Sequence, residues 1–161
     1  MPLPSEPSHS QSRGGTRRAI LAIDYGRRRI GLALSDECGL TARPLGILPR
    51  TNRRGDIVKL RELCRNHAVG SIVVGWPIHL DGTPGIMAAE AARFAERVRK
   101  QLGLPVALLD ERLSSWEAAQ VIGTSKTRDR RSPRKGKTLD DLAAAVILRD
   151  YLSRPVRETR G

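Results

Sequence analysis

The chain has 161 residues and carries 29 Lys and Arg against 17 Asp and Glu, a net charge of +12. This length suits one domain with a sizeable core, and a hydrophobic content of 39% excludes a disordered chain. The charge points to a polyanion, nucleic acid first, with a merely soluble basic surface as the bland alternative. Two cysteines exclude a disulfide framework, and no apolar run reaches membrane-spanning length or forms a signal-type core, so a cytoplasmic location is expected. One Phe, two Tyr and two Trp are too few for base stacking to dominate, which favours backbone phosphate and duplex shape as the features bound.

Residues 1–17 are rich in Pro, Ser, Gly and Arg and read as a flexible tail. The core begins with a strand over 18–23, broken by Gly26, and a second strand over 30–34 follows the basic turn Arg27-Arg28-Arg29. A third strand near 45–48, between Pro44 and Pro49, suits a sheet edge. Ile57, Leu60, Leu63 and Cys64 share a helical face. Residues 71–75 form a short buried strand, closed by Trp76-Pro77. Met87, Ala91, Phe94, Val98 and Leu102 mark a second helix that Gly103 stops. A last strand occupies 106–109, and Ser114 or Ser115 suits the cap of a helix to about 122. Residues 123–137 supply Lys126, Arg128, Arg130, Arg131, Arg134, Lys135 and Lys137 without a large apolar residue, the pattern of a basic loop. Thr138 suits the N-cap of a closing helix, and 154–161 form a basic tail. The folded unit therefore spans 18–153. Three strands feeding alternating helices and strands give an α/β fold with a mixed sheet and helices over its faces. Both Cys38 and Cys64 are expected to be reduced, buried thiols.

Three acids stand out against this frame. Asp24 ends the first apolar strand, Glu111 follows the last one, and Asp140 opens the apolar closing helix. A desolvated carboxylate needs a compensating partner. If the strands bearing Asp24 and Glu111 run parallel, their carboxyl ends form the usual site edge of an open sheet, within reach of the closing helix. Converging hard oxygen ligands suit Mg²⁺ or Mn²⁺, and two such ions can activate water and stabilise a leaving phosphodiester oxygen. Arg27, Arg28, Arg29 and the loop from Lys126 to Lys137 would then hold the nucleic-acid backbone. Each acid also has a plainer role. Asp24 suits an Asp-Tyr-Gly turn, Glu111 a surface pair with Arg112 or Lys126, and Asp140 and Asp141 a first helical turn.

The stretch Asp24-Tyr25-Gly26-Arg27-Arg28-Arg29-Ile30-Gly31-Leu32-Ala33 resembles the first motif of the YqgF (RuvX) family, in the ribonuclease H-like, RuvC-related superfamily. Val74-Gly75-Trp76-Pro77 with Asp81-Gly82-Thr83 resembles its second motif, residues 110–118 its third and residues 140–148 its fourth. Four motifs in order, from about Ala19 to Leu152, make the resemblance specific. It implies a ribonuclease H-like five-stranded mixed sheet and a metal-dependent nuclease. The expected role is 5′-end maturation of pre-16S rRNA in ribosome biogenesis, with Holliday junction resolution as the alternative. By the same resemblance Asp24, Glu111 and Asp140 are the catalytic, metal-holding carboxylates, while Arg112, Ser114 and Ser115 shape the site or contact phosphate. Trp76 and Ser114-Ser115 depart from the family's commoner residues, and neither departure removes a carboxylate. In the implied sheet order the Gly75 strand separates those of Asp24 and Glu111 by roughly 9.6 Å, and the missing side chain of Gly75 clears the space into which Glu111 reaches.

Two rival readings exist. An Asp-x-Gly turn before a Gly-containing strand also resembles the phosphate hairpin of actin-like ATPases, but those enclose nucleotide between two lobes and this chain has length for one. A non-catalytic RNA-binding, transcription-associated factor fits the charge equally well, yet clustered acids add nothing to binding a polyanion without metal. Resolvases act as symmetric dimers, and no apolar stripe here announces a dimer interface. His9, His67 and His79 form no ligand cluster, and His67 is expected to end a helix.

Overall fold

The computed structural model describes residues 18–77, 79, 81–111 and 139–154, the last segment with side chains from Leu142 onward. Its elements are β1 (Ala19–Tyr25), β2 (Arg29–Ser35), β3 (Ala42–Pro49), α1 (Arg53–Asn66), β4 (Val69–Trp76), α2 (Ile86–Leu102), β5 (Val106–Asp110) and α3 (Leu139–Ser153). The five strands form one sheet in the order β3-β2-β1-β4-β5. β1 and β2, and β2 and β3, pair antiparallel, while β1 pairs parallel with β4, and β4 with β5.

Side-chain parity divides the core into two layers, because successive strand residues face opposite sides. Leu21, Ile23, Ile72 and Val74 pack with Ile57 and Leu60 of α1 and Phe94 and Val98 of α2. On the other face Ala22, Ala33, Val73 and Leu109 pack with Ala144, Ala145, Ile147 and Leu148 of α3. The small side chains on that second face let α3 lie close across β1, β2 and β3. The larger first face carries both crossover helices, tied to one another by Arg61 Nη2 donating to the Gln101 carbonyl at 2.9 Å.

Local signals set the helix ends. The Asn52 side chain caps α1 by accepting from the Gly55 amide at 2.7 Å. α2 stops at Gly103, which takes the left-handed conformation (φ 68°) that glycine adopts without a Cβ penalty. His67 ends α1, as expected.

Two expectations are corrected. The third strand runs from Ala42 to Pro49, well beyond 45–48; a bulge at Leu45, which has no register partner between Leu32 and Ala33, interrupts the alternation that would reveal it. It does lie at the sheet edge. Cys38 is exposed in the β2–β3 turn, and only Cys64 is buried. The helix expected after Ser114, the basic loop, the Thr138 cap and both tails lie outside the described residues. Among the described residues no helix is long and apolar enough to cross a membrane.

A candidate carboxylate site at the parallel strand ends

Because β1, β4 and β5 are parallel, their carboxyl ends share one edge of the sheet. Ile23 pairs with Val74 and Gly75 with Leu109, so Asp24, Gly75 and Leu109 form one lateral row. Asp24 has the parity of Ala22, Gly75 that of Val73, and Glu111 that of Leu109, which places all three on the face covered by α3. The Glu111 amide donates to the Trp76 carbonyl at 3.2 Å, extending the ladder one step past β5.

Glu111 reaches back across β4. A Cβ built on Gly75 would fall on Glu111 Oε1 and lie 3.0 Å from Glu111 Cδ and 2.6 Å from Ile147 Cδ1. The absent side chain of Gly75 is therefore the space the carboxylate occupies, beneath α3. Burial pushes the Glu111 carboxyl up to about 7, and the neighbouring Asp24 and Asp110 charges push it the same way. Asp24 and Glu111 thus sense one another although a strand separates β1 from β5.

Asp140 stands in the first turn of α3, in the same helical row as Ala144 and Ile147. Among the described residues no three His, Cys, Asp or Glu side chains close into a metal-binding group, and the Asp140 side chain lies outside them. The donor chemistry of the described pair does fit a hard divalent ion. Two carboxylates are close enough to raise a proton affinity, and a cation relieves the same repulsion that a proton relieves.

The β1–β2 turn is built around Gly26. A Cβ there would lie 2.5 Å from the Arg29 carbonyl oxygen, so only glycine admits this close chain reversal. Asp24, Gly26, Arg27, Arg28, Arg29 and Gly31 line a pocket of about 310 Å³. Of the three arginines, Arg27 turns toward α2 and forms a fork with Glu90, with nitrogen–oxygen distances of 2.9 and 3.3 Å. Arg112, Ser114, Ser115 and the residues Lys126, Arg128, Arg130, Arg131, Arg134, Lys135 and Lys137 lie outside the described residues.

One supporting residue escaped the sequence reading. Arg50 stacks over the Tyr25 ring, 4.9 Å from its centroid. Its Nη1 donates to the Tyr25 hydroxyl at 2.9 Å and to the Gly26 carbonyl at 3.3 Å. Its Nε donates to Asp56 at 3.2 Å, and Asp56 is buried. Arg50 therefore clamps the turn that follows Asp24 from behind. Among 29 Lys and Arg nothing local distinguishes it, since its partners are set by the fold.

The sheet order and the acids at its parallel edge define a ribonuclease H-like fold of the RuvC type. The structure is similar to T. thermophilus RuvC in complex with Holliday junction substrate, over 84% of this chain and 96% of that one, with a TM-score of 0.50 and 16% identity. Residues 18–154 match the model of the RuvX family, described as Holliday junction resolvase, and the chain belongs to that family. A relative from Syntrophus aciditrophicus is 44% identical over 133 residues, 83% of this chain and 87% of the relative. One from Geobacillus kaustophilus is 42% identical over 135 residues, 82% of this chain and 95% of the relative. Both carry the name "Putative pre-16S rRNA nuclease".

Proposed function

We propose that this protein is a metal-dependent nuclease that hydrolyses phosphodiester bonds in 5′-end maturation of pre-16S rRNA, a cytoplasmic step of ribosome biogenesis. The observation that carries this reading is Glu111 laid through the gap at Gly75, toward Asp24, with its carboxyl pushed up to about 7. A purely structural acid gains nothing from such a position. The name of the relatives supplies the RNA substrate.

In this reading Asp24, Glu111 and Asp140 hold Mg²⁺ or Mn²⁺. The bound ion would make water nucleophilic near neutral pH and stabilise the leaving oxygen. The chain's own residues do the remaining work. Gly75 and Ile147 fix where the Glu111 carboxylate sits, and Gly26 with Arg50 fixes the turn after Asp24. Arg28 and Arg29 hold backbone phosphate at the pocket they share with Asp24. Arg112, Ser114 and Ser115 shape the phosphate position, and the basic loop from Lys126 to Lys137 holds the flanking strand or the ribosomal particle.

Junction resolution is the second reading, favoured by the description of the family model and by the RuvC-type fold. One experiment separates the two. A pre-16S rRNA fragment and a four-way DNA junction are incubated with the protein in Mn²⁺ or EDTA, beside Asp24→Asn. Metal-dependent RNA cleavage lost in Asp24→Asn supports the processing nuclease, and cleavage of the junction alone transfers the proposal to resolution. Binding without cleavage of either would sink the enzyme reading in favour of a non-catalytic RNA-binding factor.

A further inference from the structure

Beside the site pocket a second cavity of about 380 Å³ opens between the β1–β2 turn, the start of α1 and the outer side of α2. Five arginines line it (Arg27, Arg50, Arg53, Arg93 and Arg97) against a single carboxylate, Glu90. Two of them are already compensated. Arg27 is paired with Glu90 and Arg50 with Asp56. Arg53, Arg93 and Arg97 have no hydrogen-bond or ion-pair partner among the described residues.

This arrangement is not what folding alone would select. Arg93 and Arg97 stand one turn apart on α2, where like charges destabilise a helix. They follow Glu90 on its own helical face, and Arg53 at the first position of α1 faces the same cavity. Glu90 feels Arg27, Arg50 and Arg93 together, so the guanidinium groups crowd one spot. Such self-repulsion is relieved by an anion, and guanidinium forks suit phosphate in particular. Arg27 lines both this cavity and the pocket of Asp24. A polymer of phosphates can therefore occupy both at once, whereas a single small anion occupies one.

We propose that the groove formed by Arg53, Arg93 and Arg97 is a second backbone-binding site, gripping phosphates of the RNA strand beyond the bond that is cut. It extends the nuclease reading above and supplies what that site lacks, a fixed direction for the strand leaving the turn at Arg27. The bonds are to phosphate, so the groove adds affinity and orientation without reading sequence.

The test compares two double variants that remove equal charge from α2: Arg93→Gln/Arg97→Gln in the groove and Arg99→Gln/Lys100→Gln outside it. Binding of a pre-16S rRNA fragment is titrated against salt, with all proteins in the Asp24→Asn background so that the RNA stays intact. The groove pair is expected to weaken binding about tenfold or more, and to lower the slope of log affinity against log salt by about 1.4, two single-strand phosphate contacts. The outside pair is expected to change binding less than about twofold, as diffuse charge does. Equal losses from both pairs, or no loss from the groove pair, would overturn the groove. Cleavage by the protein without these changes is read separately, so a failed nuclease reading and a failed groove give different results.

Discussion

Gly75 and Glu111 compete for one volume: the side chain that Gly75 lacks would lie 3.0 Å from Glu111 Cδ and 2.6 Å from Ile147 Cδ1. The strand between two acids thus contributes an absence. Gly75→Ala is expected to push Glu111 off its place and to strain Ile147 at a cost of about 1–3 kcal/mol. Mn²⁺ affinity should fall about tenfold or more. Calorimetric Mn²⁺ titration with urea unfolding checks both, and an alanine variant that binds Mn²⁺ like its parent would refute the arrangement.

Glu111 also sets a pH dependence. Its carboxyl is raised from the ordinary 4.5 to about 7 in the fold, so the folded state binds the proton more tightly than the unfolded chain. Its contribution is fully present below about pH 4.5, declines as pH rises, and is gone above about pH 7. Glu111→Gln does not titrate. In EDTA it should match the parent near pH 4 and exceed it by about 1–3 kcal/mol at pH 8, allowing for partial exposure. Mn²⁺ should then narrow the gap by stabilising the parent alone. Urea midpoints against pH, with and without Mn²⁺, give the answer.

Arg50 tests the clamp behind the turn. Arg50→Met leaves the buried Asp56 carboxylate without its cation and should cost about 3 kcal/mol. It should also lower RNA cleavage more than binding, because Tyr25 and Gly26 lose the donor that fixes them. The double change Arg50→Met/Asp56→Leu should recover much of the stability and little of the cleavage. Recovery of both together would mean that Arg50 acts through stability alone.

The two thiols should react in separate steps. Burial pushes Cys64 up to about 11, while Cys38 is exposed. At pH 8 a disulfide reagent is expected to titrate Cys38 in the folded protein and Cys64 only after urea is added. Rapid reaction of both thiols in the folded state would contradict the packing of Cys64 on the core face of α1.

The parts of the fold set by short-range signals were legible in the sequence. Gly103 ends α2 because a left-handed residue there favours glycine, and an acid after an apolar run marks the ends of β1 and β5. The edge strand is less legible, since the bulge at Leu45 breaks its alternation. The exposure of Cys38 departs from the usual burial of free cysteine and follows from its place beside Gly39 in a turn (φ 67°). Arg50 and the α2 arginines were not legible. Arg50 meets Tyr25 from 25 positions away, and Arg93 and Arg97 share a cavity with Arg27 and Arg53, which only the folded sheet and its helices bring together.

The placement of the acids has a consequence for synthesis. Asp24 sits in a hairpin whose contacts are near neighbours in sequence, and such a hairpin forms early. Glu111 comes beside it only when β5 has paired with β4, and Asp140 is carried by α3, the last element among the described residues. A partly made chain emerging from a ribosome therefore carries the first carboxylate without the others. If these three acids are the cutting centre, the ribosome's own RNA is spared until the final helix is in place.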